Sequence, residues 1–323
     1  MMAPMATPQP RPIVLTSRIP SEARGEALLD FLTRRFRYHH RDEWQQQLRA
    51  GRVRIDGKVA TGSEALTTGM QLQYEKDHRE PPVATDFSVI YEDAELLVVN
   101  KPAHLPMHAD GPFIRNTLIY MLRDRFGADL QLCHRLDRET SGVVVVAKNK
   151  HVQAAVQAQF GQGIQKEYHA VCHGELLTPI RCEEPIGHHP TSEVRLRRTA
   201  GPDAMQPQAA RTLLNPVESG GGRTLVACRP ETGRTHQIRA HLEHAGHPIV
   251  GDKLYGRRDA DYLEFVRRMK SGDSVFEFSL PGGDGPNRHL LHATSVKLQH
   301  PARDQAVCFT APTPTEFARW LLR

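Results

Sequence analysis

The sequence predicts an α+β protein in two parts: a large domain on a mixed, largely antiparallel sheet, and a small N-terminal unit of two helices and a hairpin. Short β-branched runs joined by tight links such as Glu92-Asp93 and Gly220-Gly221-Gly222 favour antiparallel neighbours over a doubly wound parallel sheet. Near the N-terminus, apolar residues at helical spacing precede a hairpin signal. A charged segment bearing Pro81-Pro82 separates the two patterns and could serve as a linker.

Residues 1–20 contain five prolines and little periodicity, which predicts a disordered leader. In residues 21–75, Ala27, Leu28, Phe31 and Leu32 mark one helix, and Trp44 with Leu48 a second. Val53 and Ile55 then alternate with Arg52 and Arg54, and Asp56-Gly57 signals a tight hairpin turn. Residues 76–85 are the expected linker, with nothing in them that packs, and residues 86–323 form the larger domain. Within it, strands are expected near 87–91, 96–100, 143–148, 166–172, 209–214, 223–229 and 291–298. Helices are expected near 116–126, 150–160 and 234–245, with a helical excursion over 257–273.

Composition excludes several classes. With 39% hydrophobic and 24% charged residues over 323 positions, the chain has the balance of a soluble globular protein. Cys133, Cys172, Cys182, Cys228 and Cys308 are scattered, with no CxxC pair, which argues against a disulfide framework or a thiolate zinc site. The longest purely apolar run, Val143 to Ala147, is far short of a membrane span. No secretory signal is evident, so a reducing, cytoplasmic setting is the default. The net charge of +5 is a mild bias towards polyanions.

Three segments concentrate ionisable groups. His134-Arg135-Leu136-Asp137-Arg138-Glu139-Thr140-Ser141-Gly142 runs into Val143 to Val146, four β-branched residues that need a strand buried on both faces. Holding charges at the end of such a strand is costly unless they pair or do chemistry. A plainer reading is equally open, with Asp137 capping a turn and Arg135 and Arg138 solvated. Further on, Arg229 to His241 runs from a strand through a turn into a helix with the apolar stripe Ile238, Leu242 and Ala245. Arg234 falls at the expected helix start, where the helix dipole gives a cation nothing, so a buried carboxylate is its expected partner; Glu231 is the alternative. His236, His241, His244 and His247 match no metal-ligand spacing, so no metal is expected. In Gln165 to Val171, strand alternation puts Tyr168 on a face with Lys166 and Ala170, where a core role is the ordinary one.

Taken together, HRLDRETSG, KEYHAV and ETGRTHQIRAHLEHAGHPIVGD resemble the RluA family of RNA pseudouridine synthases. VIYEDAELLVVNKPAHLPMH before them and RHLLHA at 288–293 extend the resemblance, in order, over about residues 86–300. It implies a catalytic domain of pseudouridine synthase type, with Asp137 as the catalytic aspartate. It implies that Arg135 enters the RNA stack in place of a flipped base, with His134 beside it also in contact with substrate. Tyr168 would stack on the target ring and take a proton, Arg234 would pair with Asp137, and Leu291 would wall the pocket.

The chemistry suits those residue types. Breaking the N1–ribose bond and rejoining the sugar to C5 gives an isomer, so no cofactor is expected. An ionised carboxylate is needed beside sugar and base, and an arginine would hold it ionised with water excluded. Attack on ribose, attack on the base, and proton removal through a glycal all remain open. An arginine and an aromatic face would offset the few kcal/mol of unstacking a uridine.

In the N-terminal unit, residues 34–54 hold seven arginines against Asp42 and Glu43, an excess equal to the chain's net +5. The unit resembles the small alpha-L RNA-binding domain, which implies that Arg52 and Arg54 contact RNA. The expected partner is RNA, ribosomal RNA of the large subunit ahead of transfer RNA, with a monomeric protein. Two other classes compete: an RNA-binding module that has lost catalysis, and a hydrolase pairing Asp137 with Glu139.

Overall fold

The structure is a computed structural model that describes residues 12–76, 80–160, 164–270 and 285–322. The chain divides into two compact units, residues 1–79 and 80–323.

In the first unit, β1 (Ile13–Arg18), β2 (Val53–Ile55), β3 (Lys58–Val59) and β4 (Gln71–Lys76) form an antiparallel sheet in the order β1-β4-β2-β3. Helices α1 (Leu28–Arg35) and α2 (Arg41–Arg49) lie between β1 and β2 in sequence. Leu28, Phe31 and Leu32 of α1 and Trp44 and Leu48 of α2 share one core with Val53, Ile55, Leu72 and Tyr74. The turn between β2 and β3 holds Asp56 at φ 47° and Gly57 at φ 80°, the paired left-handed residues of a type I′ hairpin. Arg54, exposed, donates to the Gly57 carbonyl at 3.3 Å, and Arg52 is half-buried.

Two expectations need correction here. Residues 13–18 of the expected disordered leader are a strand, paired along its whole length from Ile13↔Lys76 to Arg18↔Gln71. Backbone pairing to β4 orders a segment whose Val14 and Leu15 stay exposed, so the side-chain pattern carried little signal. The leader's residues 1–11 and the linker's 77–79 lie outside the described residues. The rest of the expected linker packs: the Glu80 carboxylate accepts from the N–H groups of Ile114, Arg115 and Asn116, and Val83 is buried in the core of the second unit. A carboxylate receiving three backbone N–H groups is a fixed anchor.

The second unit contains β5 (Ser88–Glu92), β6 (Leu96–Lys101), α3 (Leu118–Phe126), β7 (Gln131–Leu132), β8 (Ser141–Ala147), α4 (Lys150–Phe160) and β9 (Gln165–His173). There follow the short strands β10 (Ile180–Cys182), β11 (Ile186–His188), β12 (Arg198–Ala200) and β13 (Met205–Gln208), then the long pair β14 (Thr212–Gly220) and β15 (Arg223–Pro230). The chain ends with α5 (Gln237–His244), α6 (Asp259–Lys270), β16 (Leu291–Gln299), β17 (Ala306–Thr310) and α7 (Glu316–Leu321). The excursion's last residues, 271–273, lie outside the described residues. Ten strands form one sheet, with the path β10-β14-β15-β9-β16-β8-β6-β5 and with β17 beside β16 and β7 beside β8. Among the described strands, only β16 and β8 pair in parallel. β11, β12 and β13 make a separate small sheet. Short strands of three or four residues fall below what alternation can register, and they escaped the sequence reading.

The Val143–Val146 run is buried on both faces, as its composition requires. Val144 and Val146 pack with Leu97 and Val99, and Val143 and Val145 pack with Leu96 and Val98 on the other side. Gly142, at φ +115°, lets β8 meet β16: a Cβ there would stand 2.2 Å from the Ala293 carbonyl oxygen. Among the described residues, no helix is long and apolar enough to cross a membrane.

Candidate active site

Residues 133–140 link β7 to β8, and the core behind them fixes this loop. The buried Lys101 ammonium donates to the carbonyls of Pro102, Leu105 and Arg138 at 2.8, 2.9 and 3.1 Å. Arg288 donates to the Glu139 carbonyl and to Ser141 Oγ, and its other side pairs with Glu316. Thr140 bonds His289 at 2.7 Å and Ser141 bonds His292 at 2.8 Å. Glu139 turns inward, accepting from Lys253 Nζ at 2.8 Å and Arg138 Nη2 at 2.9 Å. It does not line the pocket, which removes it as a second carboxylate for a hydrolase.

What remains turned outward is Asp137. It stands in the wall of a pocket of about 570 Å³ together with Arg135, Tyr168, Arg234, His236 and Leu291. Arg239 of α5 donates from Nη1 to Asp137 Oδ2 at 2.7 Å, and His236 Nε2 lies 3.8 Å from the same oxygen. No described residue hydrogen-bonds Asp137 Oδ1. Burial alone would raise the Asp137 carboxyl; neighbouring positive charge outweighs it and holds the group well below the usual carboxylate range. At neutral pH that charge is Arg239's, because burial pushes His236 down to about 4 and leaves it uncharged. Arg239 is itself held by Asp252, whose two oxygens accept from Nε at 2.7 Å and Nη2 at 2.9 Å, and the Tyr255 ring lies 4.7 Å from the guanidinium carbon.

The expected partnership of Arg234 with Asp137 is therefore corrected. Arg234 precedes α5, which starts at Gln237, and its side chain donates to the Ala209 carbonyl at 3.0 Å. Its alternative partner Glu231 is taken by Arg181 and Arg211. Arg239 fills the role because it lies on the inward face of the helix, 7% exposed beside Ile238 and Leu242. An arginine adjoining an apolar helical stripe was the available signal, and Asp252 closed the same segment. His134 lines the pocket wall, but its Nε2 accepts the Val145 N–H at 2.9 Å, and burial pushes the ring down to about 4. That ring nitrogen pins the loop to β8, and the ring stands in the pocket wall.

Tyr168 on β9 is 9% exposed and lies across from Ala293 and Cys228 on the flanking strands. Burial first, and then the Asp137 charge, push its phenol above the ordinary tyrosine value, so it is neutral at physiological pH. Leu291 opens β16 and is 5% exposed. Arg135 is exposed and makes no hydrogen bond or ion pair to a described residue. The arrangement presents an ionised carboxylate with one unbonded oxygen, a phenol ring and an apolar wall to a pocket of nucleoside size. Arg52 and Arg54 belong to the other compact unit.

Residues 95–244, which carry this loop, the tyrosine strand and the arginine helix, match the family model for RNA pseudouridylate synthase. A Yersinia pestis protein named ribosomal large subunit pseudouridine synthase D is 32% identical over 94% of this chain and 92% of its own length. The Pseudomonas aeruginosa protein of the same name is 30% identical over 95% and 94%. In three dimensions, human RNA pseudouridylate synthase domain containing 1 superposes with a TM-score of 0.56 at 29% identity, covering 73% of this chain and 86% of that one. The chain belongs to the RluA family of RNA pseudouridine synthases, isomerases that convert uridine in RNA to pseudouridine.

Proposed function

We propose that this protein isomerises uridines of large-subunit ribosomal RNA, with Asp137 as its catalytic carboxylate, Tyr168 and Leu291 as the walls that receive the extruded base, and Arg239 as the positioning cation. It acts as a cytoplasmic monomer and needs no cofactor, because substrate and product have the same atoms. The observation that carries this reading is the unbonded Oδ1 of an ionised Asp137 in a nucleoside-sized pocket. The relatives named for the large ribosomal subunit align over 94% of the chain and so favour that RNA.

The reaction breaks the N1–C1′ bond, with its electron pair leaving on the uracil ring. The ring turns, C5 supplies the pair for a new bond to C1′, the C5 proton leaves and N1 gains one. Asp137 Oδ1 is free to bond ribose or base or to take a proton, while Oδ2 stays on Arg239. Tyr168 enters this sequence as a neutral phenol, kept protonated first by burial and second by the carboxylate's charge, and neutralising Asp137 removes only the second of these. Arg135, exposed at the pocket, is free to occupy the vacated place in the RNA stack.

Mapping pseudouridines in total RNA from cells with and without the protein tests the reading. Loss of one or a few large-subunit positions, restored by adding the protein to protein-free ribosomal RNA, is expected. Losses confined to transfer RNA, or none, would sink it.

A further inference from the structure

Arg239 is shared between two carboxylates in an unequal way. Asp252 takes both parallel N–H groups, Nε at 2.7 Å and Nη2 at 2.9 Å, and leaves Asp137 a single end-on bond from Nη1. Asp252 Oδ1 also receives the N–H groups of Leu254 at 2.9 Å and Tyr255 at 3.1 Å, so four donors converge on a carboxylate with no exposed side-chain surface. It does not line the pocket, whereas the Asp137 side chain is 24% exposed. The turn that delivers it is fixed, since Gly251 at φ +79° leaves no room for a Cβ beside the Arg288 carbonyl. The guanidinium is thus placed by Asp252 and the Tyr255 ring, independently of Asp137.

We infer that Asp252 is a positioning residue whose buried carboxylate both aims Arg239 at Asp137 and balances that cation whenever Asp137 loses its own charge. This rests on Asp137 being the reacting group. Every route open to Asp137, by a bond to ribose, a bond to the base or a proton, neutralises it. An arginine paired with Asp137 alone would then be a bare buried cation, and stranding one is strongly unfavourable. With Asp252 in place, an ion pair survives the neutralisation. Asp252 also draws off part of the guanidinium's attraction, so Asp137 is held ionised without being locked.

The test is a charge-removal cycle that needs no RNA. Asp252→Asn keeps an oxygen for the Leu254 and Tyr255 N–H groups, removes the charge, and replaces the oxygen that accepts from Arg239 Nε with an NH2 group. Thermal melting is measured for wild type, Asp137→Asn, Asp252→Asn and the double variant. The double variant should melt well below the sum of the two single shifts, because only there is Arg239 unbalanced; additive shifts would overturn the inference. If Asp252→Asn fails to fold, adding Arg239→Gln should restore a soluble, cooperatively melting protein, and failure of that rescue would also overturn it. On ribosomal RNA, Asp252→Asn should lose about tenfold or more in kcat with KM changed less than about threefold. A KM-only effect would count against the inference. Wild type that is inactive on that RNA would count instead against the proposed substrate, leaving the melting cycle to decide the role of Asp252.

Discussion

Arg239 Nη1 and Asp137 Oδ2 meet at 2.7 Å across 102 positions of sequence, and this contact makes the pocket a site. It joins the loop before β8 to the helix after β15. Replacing Asp137 by Asn removes the charge and preserves the shape. We expect no pseudouridine where wild type goes to completion, with RNA bound within roughly tenfold, about 1.4 kcal/mol, because phosphate and stacking contacts supply most of the affinity. Melting should hold or rise, since Arg239 keeps Asp252. Turnover by this variant on a genuine substrate would show that the wrong carboxylate had been chosen.

Arg239 and Arg234 should behave differently. Arg239→Ala strands the buried Asp252 and unpairs Asp137, a change expected to remove about 3–5 kcal/mol of stability and all turnover. Arg234→Ala loses an exposed bond to one carbonyl and should melt like wild type, with any deficit confined to RNA affinity. Equal losses of stability in the two variants would reverse the assignment.

Tyr168→Phe keeps the ring and removes the hydroxyl. If the ring only stacks, single-turnover rates stay within about threefold of wild type; collapse of the rate with unchanged RNA affinity assigns proton transfer to the phenol. Because the phenol is held above its ordinary value, we expect wild-type rates to show no limb near the tyrosine's usual pKa.

Stability should begin to fall unusually early on acidification. Burial pushes His104, His134, His236 and His292 down to about 4 and His289 to about 3. In the unfolded chain these rings take protons near 6.5, so between about 6.5 and 4 the unfolded state binds more protons and folding weakens as pH drops. Each ring contributes at most about 1.4 kcal/mol per pH unit in that window. Melting temperatures flat from pH 7 to 5 would contradict the burial of these rings.

Cutting the chain after Arg79, and keeping Glu80 and Val83 for their contacts in the second unit, should leave a folded domain that still isomerises uridine. Its RNA affinity should fall, with a shallower dependence on salt as arginine–phosphate contacts are lost. Unchanged affinity and salt slope would mean that Arg52, Arg54 and their neighbours do not touch RNA.

The sequence reading succeeded where the determinant was local. The Val143–Val146 run dictates a two-sided strand, Asp56-Gly57 dictates its turn, and the ordered motifs bring Asp137, Tyr168 and Leu291 to one pocket. It failed where a partner lay far along the chain. Glu139, two positions from Asp137, faces the opposite way because Lys253 is waiting for it, and nothing local to residues 134–142 reveals that. Helix-start logic points to Arg234 because it looks along one helix, whereas the deciding contact, made by Arg239, is with a loop 102 residues earlier. β1 was missed because its order comes from backbone pairing with residues 71–76.

The parallel seam between β8 and β16, with Gly142 laid against Ala293, also sets when the enzyme can exist during its own synthesis. The Asp137 loop is clasped by Arg288, His289 and His292, and the Ser141–His292 bond spans 151 positions. A ribosome making this protein completes the catalytic loop long before it makes the clasp. Through that interval the growing chain carries the aspartate without a pocket to put it in. A chain ended before β16 would lack the Ser141–His292 bond and the Gly142–Ala293 seam, and we expect it to make no pseudouridine.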